Sequence, residues 1–205
     1  MILKIEHLKL PELAPFDFEI KENGLYGVIG RNGIGKSTLF SILSGQIGLT
    51  EGKIKAGRVA YLASVETFDE NLKMNDYFKI LKMNERQKAE RLLHVFEAEK
   101  ISKKHIGTFS LGMKEFFATI LCLSVGCEIL VIDELLSGLD ISKKAKVYEE
   151  IKSLATEKII LITSHHLKEI EHFCDQTYLL SEEGLHLVTD FEAAAQAIGY
   201  MDIFF

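Results

Sequence analysis

No stretch of this 205-residue chain is apolar for long enough to cross a bilayer. The longest such run, Phe116 to Cys127, falls short of the ~20 residues a spanning helix needs, and Glu128 closes it. The opening residues, Met1-Ile2-Leu3-Lys4-Ile5-Glu6, lack the charged head and long apolar core of a secretion signal. Cysteine is scarce. Cys122, Cys127 and Cys174 make an odd number with no C-x-x-C pair, which argues against a disulfide framework or a cysteine metal site and for reduced thiols in a cytosolic protein. Positive charge is short as well: 24 Lys and Arg stand against 30 Asp and Glu, a formal charge of −6. Duplex nucleic acid wants a basic face and is not the expected partner. Proline occurs only at Pro11 and Pro15, which mark one loop.

The hydrophobic share, 47%, suits a folded soluble chain, and 205 residues fit one domain, with room for an inserted lobe. The most informative segment is Gly30-Arg31-Asn32-Gly33-Ile34-Gly35-Lys36-Ser37, a G-x-x-x-x-G-K-S directly after the apolar run Leu25 to Ile29. A buried strand entering a glycine-rich turn with a helix behind it is the setting of a phosphate-binding loop. Glycines let the backbone close around anionic oxygens, while the loop N–H groups and the positive helix end face them. Lys36 is then expected to reach the β- and γ-phosphates of a nucleoside triphosphate and Ser37 to ligate Mg²⁺, with Thr38 next in the loop.

Around this motif, Ile2 to Ile5 and Phe16 to Ile20 nearly alternate, as half-buried strands do. The pattern predicts a helix from Lys36 to Gln46 and a strand over Arg58 to Leu62. From about Asn71 to His105 apolar residues recur at helical spacing amid charges, which predicts an inserted helical lobe. Leu111 to Ser124 continues as helix, Ile129 to Ile132 reads as a buried strand, and Ser142 to Leu154 as an amphipathic helix. Lys158 to Thr163 is strand, Leu167 to Phe173 helix, Tyr178 to Leu180 with Leu185 to Val188 a hairpin, and Phe191 to Ile198 a closing helix. Such alternation predicts an α/β domain with a mainly parallel sheet.

The run Glu128 to Ile132 ends in Asp133-Glu134. Parallel sheets bring ligands to the carboxyl ends of their strands, so both acids are expected at the phosphate site. Asp133 suits the Mg²⁺ shell and Glu134 suits polarising an attacking water. Alone, such acids equally often cap a strand or helix; the phosphate loop upstream tips the reading.

From these residues onward the chain resembles the ABC ATPase family, whose motifs recur in order. Thr108 to Lys114 is similar to a variant of the family signature L-S-G-G-Q, retaining Ser110 and Gly112 but carrying Leu111 and Met113 elsewhere; the S-L-G-M-K form resembles bacterial exporter ATPases of the bacitracin and lantibiotic-immunity type. Ser137-Gly138-Leu139-Asp140 resembles the D-loop, normally S-A-L-D. Ser164-His165 resembles the switch-histidine motif, which assigns that role to His165 rather than His166; without the motif series, two adjacent histidines read as ordinary ones. The resemblance implies a P-loop NTPase fold in one domain over residues 1–205, with a RecA-like α/β core at about 1–70 and 128–205, an N-terminal antiparallel β portion and a helical lobe at about 71–127. It also implies ATP and Mg²⁺ as cofactors and ATP hydrolysis by Lys36, Glu134 and His165. Gly30, Arg31, Asn32, Gly33, Ile34, Gly35, Lys36, Ser37 and Thr38 would bind nucleotide, and Ser37 and Asp133 the metal. Ser110 and Gly112 would act in trans, on ATP bound to a second subunit in a head-to-tail homodimer or a paired assembly. The implied role is to power a separate membrane-embedded transporter subunit, most naturally an exporter, from the cytoplasmic face of the membrane. The rivals are a soluble non-transport ATPase and an ATP-sensing regulatory subunit. Long coiled-coil or zinc insertions of repair types are missing, and Glu134, which sensing relatives lose, is present.

Two departures stand out. The loop Leu10 to Pro15 holds no aromatic to stack on adenine, and Phe16 alternates with Phe18 and Ile20 as a core residue would. Stacking contributes about 1–3 kcal/mol per base, so weak affinity and poor ATP/GTP discrimination are expected. The glutamine expected after Leu62 is also missing from Ala63-Ser64-Val65-Glu66, where Ser64 is nearest in register and Glu66 could substitute after a small shift. Phe68, Tyr77 and Phe78 are candidates for docking the membrane partner, with core packing as their alternative use.

Overall fold

The computed structural model describes residues 2–199. Met1 and residues 200–205, the outermost positions of the domain read from the sequence, lie outside them. Alternating apolar residues build a small antiparallel sheet from β1 (Leu3–Leu8), β2 (Phe16–Ile20) and β4 (Lys53–Lys55), in the order β2-β1-β4. β1 runs further than the alternation predicts because His7 bulges at φ 52° and returns its N–H to Asp17 Oδ1 at 2.7 Å, letting Leu8 pair with Phe16. The three-residue β4 carries one part-buried side chain, Ile54, too little pattern to be read from sequence.

The main sheet has the order β5-β6-β7-β3-β8-β9. Its strands are β3 (Gly24–Ile29), β5 (Val59–Tyr61), β6 (Ile129–Asp133), β7 (Ile159–Thr163), β8 (Gln176–Ser181) and β9 (Gly184–Leu187). All its pairings are parallel except the hairpin β8–β9, as expected of a mainly parallel α/β sheet. β3 and β7 are buried along their whole length. Strands covered on both faces read as continuous apolar runs, which is what Leu25 to Ile29 and Ile159 to Ile162 are.

Helices α1 (Lys36–Leu43), α5 (Ile141–Ala155), α6 (Leu167–Phe173) and α7 (Phe191–Ala197) belong to this layer. α1 ends three residues before the expected Gln46: Gly45 turns at φ 75°, and the N–H groups of Gln46 and Ile47 fold back onto the Ser41 carbonyl. The helical lobe holds α2 (Met74–Lys79), α3 (Met83–Val95) and α4 (Leu111–Ser124). Its centre is Phe117, fully buried, with the rings of Phe68, Tyr77, Phe78 and Phe109 at 4.6, 5.3, 6.1 and 6.5 Å. Burying each such ring stabilises the fold by about 1.5–3 kcal/mol. Phe68 and Phe78 are therefore core and not partner contacts, and the Tyr77 hydroxyl is occupied in accepting the Asp69 N–H at 2.7 Å. The exposed apolar side chains of that stretch are Leu72, Ile80 and Met83. Among the described residues no helix is long and apolar enough to cross a membrane, and all three cysteines are unpaired.

Candidate functional site

The register of the main sheet builds the site. β3 lies between β7 and β8, β7 lies between β3 and β6, and Asp133 pairs with Thr163 at the carboxyl ends of β6 and β7. The glycine-rich loop leaves β3 at the same edge. Gly33 and Gly35 adopt φ of 81° and 110°, conformations that L side chains avoid and that a phosphate-binding turn requires, before α1 starts at Lys36.

Lys36 curls over that loop. Its Nζ donates to the carbonyls of Gly30 at 2.9 Å and Arg31 at 3.2 Å. Burial pulls its ammonium below the usual lysine range, partly offset by Glu134 and Asp133 nearby. Asp133 is held by three hydroxyls: Ser37 Oγ and Tyr61 Oη donate to Oδ2 at 2.8 and 3.1 Å, and Thr163 Oγ1 donates to Oδ1 at 2.6 Å. The Tyr61 phenol is pushed well above its ordinary value, by burial first and then by the Asp133 charge. Thr163 also accepts the Glu134 N–H at 3.0 Å. Glu134 sits at φ 57° with its carboxylate Oε2 2.8 Å from His165 Nε2. The backbone N–H of the neighbouring His166 donates to Ser164 Oγ at 3.0 Å.

Lys36, Glu134 and His165 line two adjoining clefts. One, of 390 Å³, is bounded by Gly30, Arg31, Lys36, Glu134 and His165, with Ile198 and Gly199 on its rim. The other is bounded by Asn32, Gly33, Gly35, Ser37 and Thr38, again with Lys36, Glu134 and His165. Ile34 lines neither; it borders a third cleft with Arg31, Leu179 and Leu180. Ser110 and Gly112 line neither cleft; Ser110 caps α4 by accepting the Met113 N–H at 3.3 Å. Phe16 is buried against the hairpin turn at Gly184, so the β1–β2 connection offers no aromatic to either cleft. Ser64 accepts the Glu66 N–H at 3.1 Å, which ties the segment after β5 into its own turn.

The donor set fits a magnesium–triphosphate. Mg²⁺ takes hard oxygens, few of them from protein and the rest from phosphate and water. A hydroxyl and a carboxylate, Ser37 and Asp133, meet here beside the glycine-rich loop and a lysine that has no carboxylate partner among the described residues. Among the described residues no cluster of three or more His, Cys, Asp or Glu could hold a metal unaided. Sequence reasoning missed Tyr61 and Thr163. Their signal is positional: each stands at the carboxyl end of a strand, β5 or β7, flanking β6.

A family profile described as ABC transporter matches residues 13–137, more than half of the chain, and a second, described as an AAA domain, matches residues 105–171. The chain is 30% identical to the bacitracin transport ATP-binding protein BcrA of Bacillus licheniformis over 81% of its length, and spans 60% of that relative. It is 28% identical to the lantibiotic transport ATP-binding protein SrtF of Streptococcus pyogenes over 94% of its length and 93% of the relative's. A solved ATP binding subunit of an ABC transporter superimposes with a TM-score of 0.83 at 20% identity, covering 98% of this chain and 94% of that one; this is a likeness of fold.

Proposed function

Because the chain belongs to the ABC transporter family, we propose that it is the ATP-binding and ATP-hydrolysing subunit of a separate membrane-embedded exporter. The observation that carries this reading is the convergence of Lys36, Ser37, Glu134 and His165 on two adjoining clefts behind a glycine-rich loop, with Asp133 accepting the Ser37 hydroxyl. The N–H groups of the loop and Lys36 bind and neutralise the phosphates. Ser37 and Asp133 hold Mg²⁺, which when bound offsets the charge of the phosphate oxygens. Glu134 takes the proton of the attacking water, and His165 orients that carboxylate and the water.

Ser110 and Gly112 stand at the start of α4, whose unpaired N–H groups and positive end suit a phosphate. They line neither cleft of their own chain, which supports their action on nucleotide held by a second copy. ATP then closes a homodimer, or a pair with a related ATPase subunit, and hydrolysis reopens it. The exporter reading follows the relatives named for bacitracin and lantibiotic transport. Attachment to the cytoplasmic membrane face runs through the membrane partner. The decisive experiment is purification from membranes: the chain is expected to bring down a multi-spanning protein that stimulates its ATPase, and Lys36→Ala to abolish nucleotide binding. ATP hydrolysis with no membrane protein recovered would favour a non-transport ATPase.

A further inference from the structure

Gly138 stands where the D-loop pattern has alanine, and the packing supplies the reason. A Cβ on Gly138 would lie 2.4 Å from Glu115 Oε2 and 2.7 Å from the Gly112 Cα. The converse holds at Gly112, whose Cβ would lie 2.7 Å from the Gly138 carbonyl oxygen. Two backbones touch at a distance that only a pair of glycines permits. Across this contact the Gly138 N–H donates to Glu115 Oε2 at 2.8 Å. A carboxylate accepting a backbone N–H makes a charge-assisted bond, stronger than one between neutral groups. Two residues on, Asp140 caps α5 by accepting the Lys143 N–H at 2.9 Å.

The start of α4 and the start of α5 are thus joined through one acid and two glycines. The joint is flanked by outward-facing apolar side chains, Leu111 just before Gly112 and Ile141 three residues after Gly138, 63% and 88% exposed. We propose that Glu115 is a positioning residue that locks the Ser137–Asp140 loop to the Ser110–Gly112 turn. The two segments then meet the nucleotide of a second subunit as one rigid surface. The proposal rests on the sandwich dimer described above. In this chain Gly112 and Gly138 go together: a methyl at 138 meets the Gly112 backbone, which cannot swing aside, and displaces the Glu115 carboxylate from its bond to the residue 138 N–H.

Three variants test it: Glu115→Ala, Glu115→Gln, whose side-chain oxygen still accepts the N–H, and Gly138→Ala. Backbone amide exchange of residues 136–140 is followed in the nucleotide-free chain, alongside kcat, KM and ATP-driven pairing in a Glu134→Gln background. Glu115→Ala and Gly138→Ala are expected to speed exchange at residue 138 about tenfold or more and to lower kcat about tenfold. Nucleotide affinity of the single chain should stay within about twofold, and Glu115→Gln should recover most of both losses. Unchanged exchange in Glu115→Ala overturns the lock. Faster exchange with unchanged kcat and pairing leaves the bond structural and overturns the positioning role. A Glu134→Gln parent that never pairs with ATP overturns the dimer reading and the role with it, and the exchange data then still report separately on the bond.

Discussion

His165 Nε2 and Glu134 Oε2 face each other at 2.8 Å, across the carboxyl ends of β7 and β6. The pair is set by the sheet and not by a flexible approach. Thr163 Oγ1 pins the Glu134 N–H from the strand that leads to His165, so the imidazole and the carboxylate share one support. Both side chains are partly open to the clefts that hold Lys36.

Glu134→Gln keeps the size of the side chain and the left-handed backbone while removing the base. Phosphate release should slow by about 10²–10⁴. Size-exclusion chromatography with ATP and Mg²⁺ should show a persistent dimer. Undiminished turnover would take Glu134 out of the reaction.

Thr163→Val removes one hydroxyl that serves two acids at nearly constant volume. Asp133 loses a donor and the Glu134 N–H loses its acceptor, so kcat should drop about 10–100-fold. ATP affinity, measured by calorimetry, should hold within about threefold, because Lys36 and the glycine loop are untouched. Thr163→Ser should restore most of the rate. Equal losses in the serine and valine variants would mean that the hydroxyl is idle.

Nucleobase selectivity should be poor. Phe16 is buried and no aromatic lies in the Leu10 to Pro15 loop, so the base gains no stacking from this region. The kcat/KM values for ATP and GTP are expected to agree within about tenfold. A preference of a hundredfold or more would point to a base contact elsewhere.

Acid should loosen the helical lobe through Glu85. This buried carboxylate accepts the Gly126 N–H at 2.8 Å and the Lys82 N–H at 3.1 Å, joining the start of α3 to the loop after α4. The Gly126 bond, helped by Lys82 and opposed by burial, holds its carboxyl below the usual carboxylate range. A depressed acid contributes its full stabilisation above the unfolded value of about 4.3 and loses it as pH falls through the folded one. Denaturant midpoints should therefore be flat above about pH 5 and fall below it. Glu85→Ala should cost about 1–3 kcal/mol at neutral pH and flatten that acid limb.

Phe117→Ala should destabilise the chain by about 3–5 kcal/mol, since four rings lose their common neighbour. Thermal melts check this directly. A cost under 1 kcal/mol would mean that the lobe repacks freely.

Much of this was legible in the sequence, and the reasons are specific. β3 and β7 announce themselves as unbroken apolar runs because both faces are covered. The glycine loop is legible because its backbone tolerates few residues at Gly33 and Gly35. Tyr61 and Thr163 were not, because a hydroxyl residue at a strand end has no distinctive spacing; only the strand order brings both beside Asp133. Phe68 and Phe78 read as core first and as docking candidates second, and packing around Phe117 places them in the core. The Gly112–Gly138 approach joins segments 26 positions apart in the chain, beyond the reach of any local pattern.

The left-handed backbone at Glu134 also constrains heredity. Valine, isoleucine and threonine are strained in that conformation, whereas glycine, asparagine and aspartate tolerate it. Lineages that gave up cleaving triphosphate should have drifted toward the tolerant set at this codon. A descendant with a β-branched residue there would need a rebuilt turn, and its history would be readable in the neighbouring loop.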